Sequence, residues 1–167
     1  MRILGIDPGL ATIGFAILDY DESQNSSQTV GEKTLQEVGV ISTPAGLPIP
    51  QRLSEIYKDM QELIREYKPD VCAIEQIFFS KNVSTGIQVS QARGVILLAL
   101  QEAGVQIHEY NPTAMKAALT GDGRADKAAI QKMVMLELNL SAPPKPDDAA
   151  DAVSLALTLL CELQYPQ

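Results

Sequence analysis

The order of apolar segments along the chain is the feature that most constrains its fold. Three strand-like segments come first, and helical and strand-like patterns alternate after them. The segments predicted as strands are 2–7, 14–20, 35–42, 71–75 and 105–110, and those predicted as helices are 50–66, 84–103, a short one from 112, 126–138 and 148–163. This order predicts an α/β fold with a five-stranded mixed sheet flanked by helices. The 167 residues suffice for one domain, residues 1–167, with a full-sized core.

The cysteines, the start of the sequence and the lengths of the apolar runs predict a soluble, cytoplasmic protein. Cys72 and Cys161 both lie in apolar runs, which is typical of buried free thiols in a reducing compartment. The sequence enters a strand directly, without a signal-like start. The longest apolar runs, near 94–100 and 152–161, are too short to span a membrane.

The polar stretch 21–34 has no periodicity and predicts an exposed loop or hairpin tip.

The charge distribution bears on the class of partner. The formal net charge of −8 argues against a polyanionic partner. Residues 76–136, however, hold six basic and four acidic residues, a balance of +2, whereas the rest of the chain has a balance of −10. A carboxylate metal site would itself account for several of the acids. The acidity therefore weakens a nucleic-acid interpretation without excluding it.

Acidic residues end or begin four apolar segments. Asp7 and Glu75 end strand-like runs, and Asp148 and Asp151 open the last apolar helix. If the fold gathers them, each close pair costs about 4 kcal/mol at ~4 Å and an effective dielectric of ~20. A divalent cation with hard oxygen ligands, Mg²⁺ or Mn²⁺, is the usual compensation. The alternative is that each acid merely ends its element or caps a helix.

The spacing of the last acids leaves their assignment open. Asp148 and Asp151 are i and i+3 on a helix and share one face, but Asp147 and Asp151, at i and i+4, do so equally well. The alternative function of Asp147 is to cap the helix.

The segment GIDPG at 5–9 also has two interpretations. In a tight hairpin, Pro8 would fix its φ and Gly9 would supply a positive φ. In a phosphate site, Gly5 and Gly9 would let the backbone approach a phosphate closely.

The segment IEQIFFSKN at 74–82 places two aromatic residues and a lysine where a strand leaves the sheet. Phe78 and Phe79 would fill the core, which is the commoner fate of phenylalanine. Alternatively, Phe78 would stack on an unpaired base while Lys81 contacts a phosphate, with Phe79 in the core. Ser84 and Thr85 would cap the following helix.

Together these segments resemble the RuvC family of Holliday-junction resolvases. The matching stretches, in family order, are ILGIDPGLATIGFAI, AIEQIFFSKN, QARGV at 91–95, TGDGRADK at 120–127 and DDAADAVSLAL at 147–157. The resemblance implies an RNase H-like fold, a homodimer and Mg²⁺-dependent nicking of two strands of a four-way DNA junction in recombination and repair. The nicks would leave 5′-phosphate and 3′-hydroxyl ends, and branch-migration machinery would be a partner.

The resemblance also assigns residues. It gives the metal-binding, catalytic acids as Asp7, Glu75, Asp148 and Asp151, and so favours Asp148 over Asp147. Two Mg²⁺ ions, replaceable by Mn²⁺, would lie between the acids. Phe78 matches the aromatic residue placed against opened bases, and Lys116 and Lys127 match basic positions implicated in DNA contact and catalysis. Backbone phosphate contacts are also expected from Lys81, Arg93 and Arg124. The single histidine, His108, matches no catalytic position and is expected to be structural.

Three other functions remain to be distinguished. A nuclease of the same fold would act on RNA or on flaps. An actin-like or sugar-kinase-type ATPase also opens with a glycine-rich turn near an aspartate, but usually needs two such domains. A non-catalytic DNA-binding module would not need four acids.

Overall fold

A computed structural model describes residues 1–22, 31–77 and 83–164, with only the backbone described for 83–85. The strands are β1 (Arg2–Asp7), β2 (Thr12–Asp21), β3 (Glu32–Ser42), β4 (Val71–Glu75) and β5 (Gln106–Tyr110). The helices are α1 (Ile49–Tyr67), α2 (Val83–Glu102), α3 (Pro112–Thr120), α4 (Lys127–Glu137) and α5 (Asp147–Gln164). All five predicted strands and all five predicted helices are present in the predicted order.

The strands form one mixed sheet in the order β3-β2-β1-β4-β5. The strand β1 is antiparallel to β2 and parallel to β4, which in turn is parallel to β5. The predicted five-stranded mixed sheet is therefore confirmed. The edge strand β3 begins three residues earlier than predicted, because a register shift near Ile17 lets its polar start continue pairing with the end of β2. Both ends of the expected loop 21–34 are thus strand, and 23–30 lie outside the described residues.

Helices cover both faces of the sheet, and the alternation of side chains in β1 divides the core in two. Ile3 belongs to the cluster formed with α3, α4 and α5, whereas Leu4 and Ile6 belong to the cluster formed with α1 and α2. The helix α5 is buried along most of its length, as expected for a helix that is apolar almost all round.

Local signals explain several helix ends. The side chains of Asn111 and Asp126 accept hydrogen bonds from the main-chain N–H groups of Ala114 and Ala129, which caps α3 and α4. Gly121 ends α3 in the left-handed conformation, with a φ of 77°.

The structure bears on two further features of the chain, the length of its apolar helices and the state of its cysteines. In the described ranges, no helix is both long enough and apolar enough to cross a membrane. Cys72 is buried and Cys161 is partly buried, and both are free thiols. Burial raises the pKa of each thiol, so both are held in the neutral form.

Candidate active site

Asp7 and Glu75 lie side by side at the ends of adjacent parallel strands. The register of β1 and β4 runs to Ile6 opposite Ile74, so the next residues along the two strands are the two acids. Residues two apart on a strand share a face. Because Ile3 and Ala73 pack in the cluster beneath α5, both carboxylates lie on the α5 side of the sheet.

Two glycines fix where α5 crosses this end of the sheet. A Cβ atom added at Gly14 would lie 1.9 Å from the main-chain oxygen of Asp148, and one added at Gly5 would lie 2.0 Å from that of Ala152. Gly14 is the register partner of Asp7. The first turn of α5 therefore rests directly over the end of β1, which brings Asp148 close to Asp7.

The electrostatics show that the four acids form one group. Burial, followed by the negative charges of Glu75, Asp151 and Asp148, raises the pKa of Asp7 to about 7, and the charge of Lys127 opposes this shift. Burial and the charge of Asp151 likewise raise the pKa of Glu75. The pKa of Asp151 is also raised, chiefly by burial, although Lys127 opposes the shift.

Asp148 and Asp147 differ in their relation to this group. The charge of Asp148 acts on Asp7, and Asp147 is not among the groups that shift the pKa of Asp7. Both charges raise the pKa of Asp151, so Asp148 is distinguished from Asp147 by its action on Asp7. A capping residue lies just before a helix, whereas Asp147 is the first residue within α5. Its carboxylate pairs with Lys127. The capping function considered for Asp147 is replaced by this ion pair.

The four acids are a chemically suitable set for a hard divalent cation. Carboxylate oxygens are the ligands that Mg²⁺ and Mn²⁺ prefer, and four like charges at a partly buried site need a counter-charge. Within the described ranges, however, no three acidic, histidine or cysteine side chains converge closely enough to hold an ion as they stand. The carboxylates repel one another, so a closer approach requires a cation between them.

Lys127 provides the positive charge at this site. Its Nζ atom lies 3.1 Å from Oδ2 of Asp147 and 3.9 Å from Oδ2 of Asp151. As the first residue of α4, Lys127 occupies the positive end of a helix dipole, where a cation is otherwise unfavourable. Its acidic partners hold it there, and the hydrogen bond to Asp147 raises the pKa of the lysine.

The turn after Asp7 joins β1 and β2 as an antiparallel hairpin, as the first interpretation of GIDPG expected, but its glycines act differently from either interpretation. Gly9 does not adopt a positive φ, since Gly104 and Gly121 are the glycines in the described residues that do so. Gly9 is needed because an added Cβ would lie 2.0 Å from the main-chain oxygen of Thr12. Gly5 makes room for α5, so the observed close approach there is to a helix and not to a phosphate.

A buried arginine that the sequence interpretation missed supports the same turn. Arg52 of α1 is 8% exposed, and its Nε donates to the Thr43 hydroxyl at 2.8 Å. That hydroxyl donates to the main-chain oxygen of Leu10 at 2.6 Å. The sequence did contain one sign that Arg52 would be buried: it lies four residues before Ile56 and therefore on the buried face of α1.

The basic residues expected at the site fall into two groups. Lys116 on α3 and Arg124 in the loop before α4 carry side-chain charges without an ion pair to the described part of the chain. Arg93 is different, because its guanidinium binds the main chain of Glu75 and the carboxylate of Glu109. The charge of Arg93 is thus already paired within the protein, and its expected phosphate contact stays a prediction.

The remaining expected residues are placed as follows. Phe78, Phe79 and Lys81 lie outside the described residues, as do the side chains of Ser84 and Thr85. His108 lies in the middle of β5 opposite Ala73, with its Nε2 atom buried and lacking a hydrogen-bond partner among the described residues.

Comparisons with known proteins agree on one family. The family model described as crossover junction endodeoxyribonuclease RuvC matches residues 3–159. A protein of that name from Chloroflexus aurantiacus is 48% identical over 157 residues, covering 94% of this chain and 91% of the relative. The Thermus thermophilus RuvC structure superimposes with a TM-score of 0.88 at 30% identity, covering 98% of this chain and 96% of that one. The T. thermophilus RuvC complex with a Holliday junction substrate gives a TM-score of 0.85 at 27% identity, with the same coverage.

Proposed function

The chain belongs to the RuvC family of crossover junction endodeoxyribonucleases, and from that premise we propose how its own residues resolve a four-way DNA junction. The fold is RNase H-like, and the activity is that of a Holliday-junction resolvase in DNA recombination and repair. We assign the catalytic group to Asp7, Glu75, Asp148 and Asp151 within a single nuclease domain. The observation that carries this assignment is the placement of Asp7 and Glu75 at the ends of adjacent parallel strands, with the first turn of α5 packed on Gly14, the register partner of Asp7.

The family consists of metal-dependent nucleases, and we propose that this chain uses two Mg²⁺ ions, replaceable by Mn²⁺. The four carboxylates would hold the ions, and Asp7 is the acid on which the charges of the other three act. When bound, the ions would activate a water and stabilise the leaving 3′ oxygen, which gives 5′-phosphate and 3′-hydroxyl ends. The partly buried site lowers the local dielectric and so strengthens the attraction between the carboxylates and any cation.

The DNA would approach the sheet end that carries the acids. Lys116 and Arg124 are free of ion pairs in the described ranges, so both cations are available to phosphates. Lys127 adjoins the acidic group and would have to exchange its pairing with Asp147 for a phosphate. Backbone contacts of this kind position a junction without reading its sequence. Phe78 and Lys81, which follow β4, remain proposals for base stacking and phosphate binding.

We propose a homodimer formed through the outer face of α2. Ile87 and Leu98 are each 51% exposed, and Gly94 between them has open space around it. These residues share one face of the helix, while its other sides pack into the core. An exposed apolar stripe around a glycine suits the close approach of a second α2 by two-fold symmetry. Two active sites in such a dimer would cut two equivalent strands.

Two broader proposals follow from the same function. Branch-migration machinery would be a partner, because a junction must be moved to the position at which it is cut. The two free cysteines fit action in a reducing compartment such as the cytoplasm.

Substrate selectivity is the direct test of this function. The protein should nick a synthetic four-way junction in paired, symmetric positions with Mg²⁺ and should not do so in EDTA. Linear duplex, a flap and an RNA–DNA hybrid serve as matched substrates. Preferential cutting of the flap or the hybrid would identify a different nuclease of this fold. ATP turnover without nuclease activity, or junction binding without cutting, would contradict the assignment.

A further inference from the structure

Arg93 of α2 is bound to the end of the sheet and is largely withdrawn from solvent. Its side chain is 16% exposed. Its Nε atom donates to the main-chain oxygen of Glu75 at 2.9 Å, and a terminal nitrogen pairs with the carboxylate of Glu109 on β5. The guanidinium therefore joins α2 to the ends of two neighbouring strands.

The hydrogen bonds of β4 show which way the carbonyl of Glu75 points. The main-chain N–H of Gln76 donates to the oxygen of Tyr110 at 2.8 Å, so residue 76 faces β5. Successive residues of a strand direct their main-chain groups to opposite neighbours. The carbonyl of Glu75, one residue earlier, therefore faces β1.

On the β1 side, the ladder lacks the donor that this carbonyl requires. The parallel register ends with Ile6 opposite Ile74, and the next bond would run from the N–H of residue 8 to the oxygen of Glu75. Residue 8 is a proline, which has no N–H group. Arg93 supplies the missing donor through its Nε–H. The planar guanidinium can do this while it also binds Glu109, whereas a lysine ammonium lacks that geometry.

We propose that Arg93 is a positioning residue for Glu75: its guanidinium replaces the ladder hydrogen bond that Pro8 cannot donate. Anchoring the carbonyl restricts the main-chain torsions on either side of it and holds the Glu75 carboxylate on the face that it shares with Asp7. This inference rests on the proposed function of Glu75 as a metal ligand. Groups that orient a metal ligand typically change metal affinity when they are altered.

Mn²⁺ binding to the full-length protein, without DNA, tests the proposal independently of cleavage. Arg93→Lys keeps the charge and the pairing with Glu109, and we expect it to weaken Mn²⁺ binding by about tenfold or more. Arg65→Lys, at an exposed position of α1, is the matched control and should bind as wild type does. Melting temperatures of both variants should stay close to that of the wild type.

A rescue variant separates this explanation from a general loss of packing. Pro8→Ala restores a main-chain N–H at residue 8, so Pro8→Ala/Arg93→Lys should recover most of the lost Mn²⁺ affinity. A double variant that binds no better than Arg93→Lys would overturn the proposal. Should Arg93→Lys fail to fold, Glu109→Gln decides the question: it should weaken Mn²⁺ binding severalfold, and unchanged affinity would overturn the proposal.

Glu75→Gln distinguishes the failure of this inference from that of the function beneath it. If Glu75→Gln loses Mn²⁺ affinity and Arg93→Lys does not, the positioning role is wrong and the metal assignment stands. If Glu75→Gln binds Mn²⁺ as wild type does, Glu75 is not a ligand, and both the assignment and the inference fail.

Discussion

Gly14 on β2 and Asp148 on α5 touch through their main chains, at the point where the sheet ends. A Cβ atom at Gly14 would lie 1.9 Å from the Asp148 oxygen and 2.3 Å from its carbonyl carbon. Only a residue without a side chain permits this contact. The distance between α5 and the strand that carries Asp7 is therefore set by a glycine far away in the sequence.

Gly14→Ala should damage the active site and the fold together. The added methyl group must push the first turn of α5 away from the sheet, and overpacking of this kind typically costs about 1–3 kcal/mol. We expect a lower melting temperature and a large loss of junction cleavage. Gly46→Ala, where an added Cβ meets nothing within 4 Å, should leave both unchanged. Full activity of Gly14→Ala would show that the position of α5 is not critical.

Asp7→Asn should stabilise the protein in EDTA at alkaline pH. The pKa of Asp7 is raised from its ordinary value of 3.8 to about 7. A carboxyl group with a raised pKa in the folded state destabilises the fold progressively as the pH rises through that interval. The pKa of Asp7 rises by about three units, and each unit corresponds to 1.36 kcal/mol, so ionised Asp7 lowers the free energy of unfolding by at most about 4 kcal/mol.

Urea denaturation of the wild type and of Asp7→Asn at about pH 8 and about pH 4 tests whether the variant is stabilised as expected. The variant should be more stable at the higher pH, and the difference should largely vanish at the lower one. Mg²⁺ should stabilise the wild type more than the variant. A variant that is less stable than wild type at about pH 8 would contradict the account of the acidic group.

Asp19→Asn should have the opposite pH dependence. Both carboxylate oxygens of Asp19 bind Arg2, each at 2.7 Å, and this hydrogen-bonded pair lowers the pKa of Asp19. A lowered carboxyl pKa stabilises the fold above the ordinary value, and this contribution is lost as the pH falls through the lowered value. Because both side chains are about one-third exposed, we expect the variant to lose about 1 kcal/mol near neutral pH. The loss should shrink below about pH 4 in urea titrations; an equal loss at both pH values would exclude the ion pair as its cause.

Lys116→Ala should weaken junction binding in a salt-dependent way. If Lys116 neutralises one phosphate, its removal should make the slope of log affinity against log salt less negative by about 0.9. Lys58→Ala on α1, at an exposed position on the other side of the sheet, is the matched control. Equal slopes for wild type and Lys116→Ala would remove this residue from the DNA-binding surface.

Patterns within single segments predicted most of the fold. The apolar segment 2–7 correctly predicted β1, and the helix predicted from 112 is α3, which begins at Pro112. These features depend on neighbouring residues, so the sequence carries them directly. The expected positive φ of Gly9 failed because a close contact with Thr12, and not the turn conformation, excludes a side chain there.

Pairs of residues that are distant in sequence were less predictable. The spacing of Asp147, Asp148 and Asp151 left two assignments open, of which the family resemblance favoured Asp148. The packing of α5 on Gly14 places that residue, and not Asp147, where its charge acts on Asp7. The position of Arg93 in the chain gave no sign that it would bind the main chain of Glu75, because that contact follows from the absence of an N–H at Pro8 on a third element.

The matched variants Asp148→Asn and Asp147→Asn test the central claim most directly. Both remove one negative charge from the first turn of α5, and only Asp148 belongs to the group around Asp7. Cleavage of a four-way junction in Mg²⁺ should be abolished by Asp148→Asn, with junction binding retained, and should fall at most a few-fold in Asp147→Asn. Near wild-type cleavage by Asp148→Asn, or loss of cleavage in Asp147→Asn alone, would contradict the assignment of the active site.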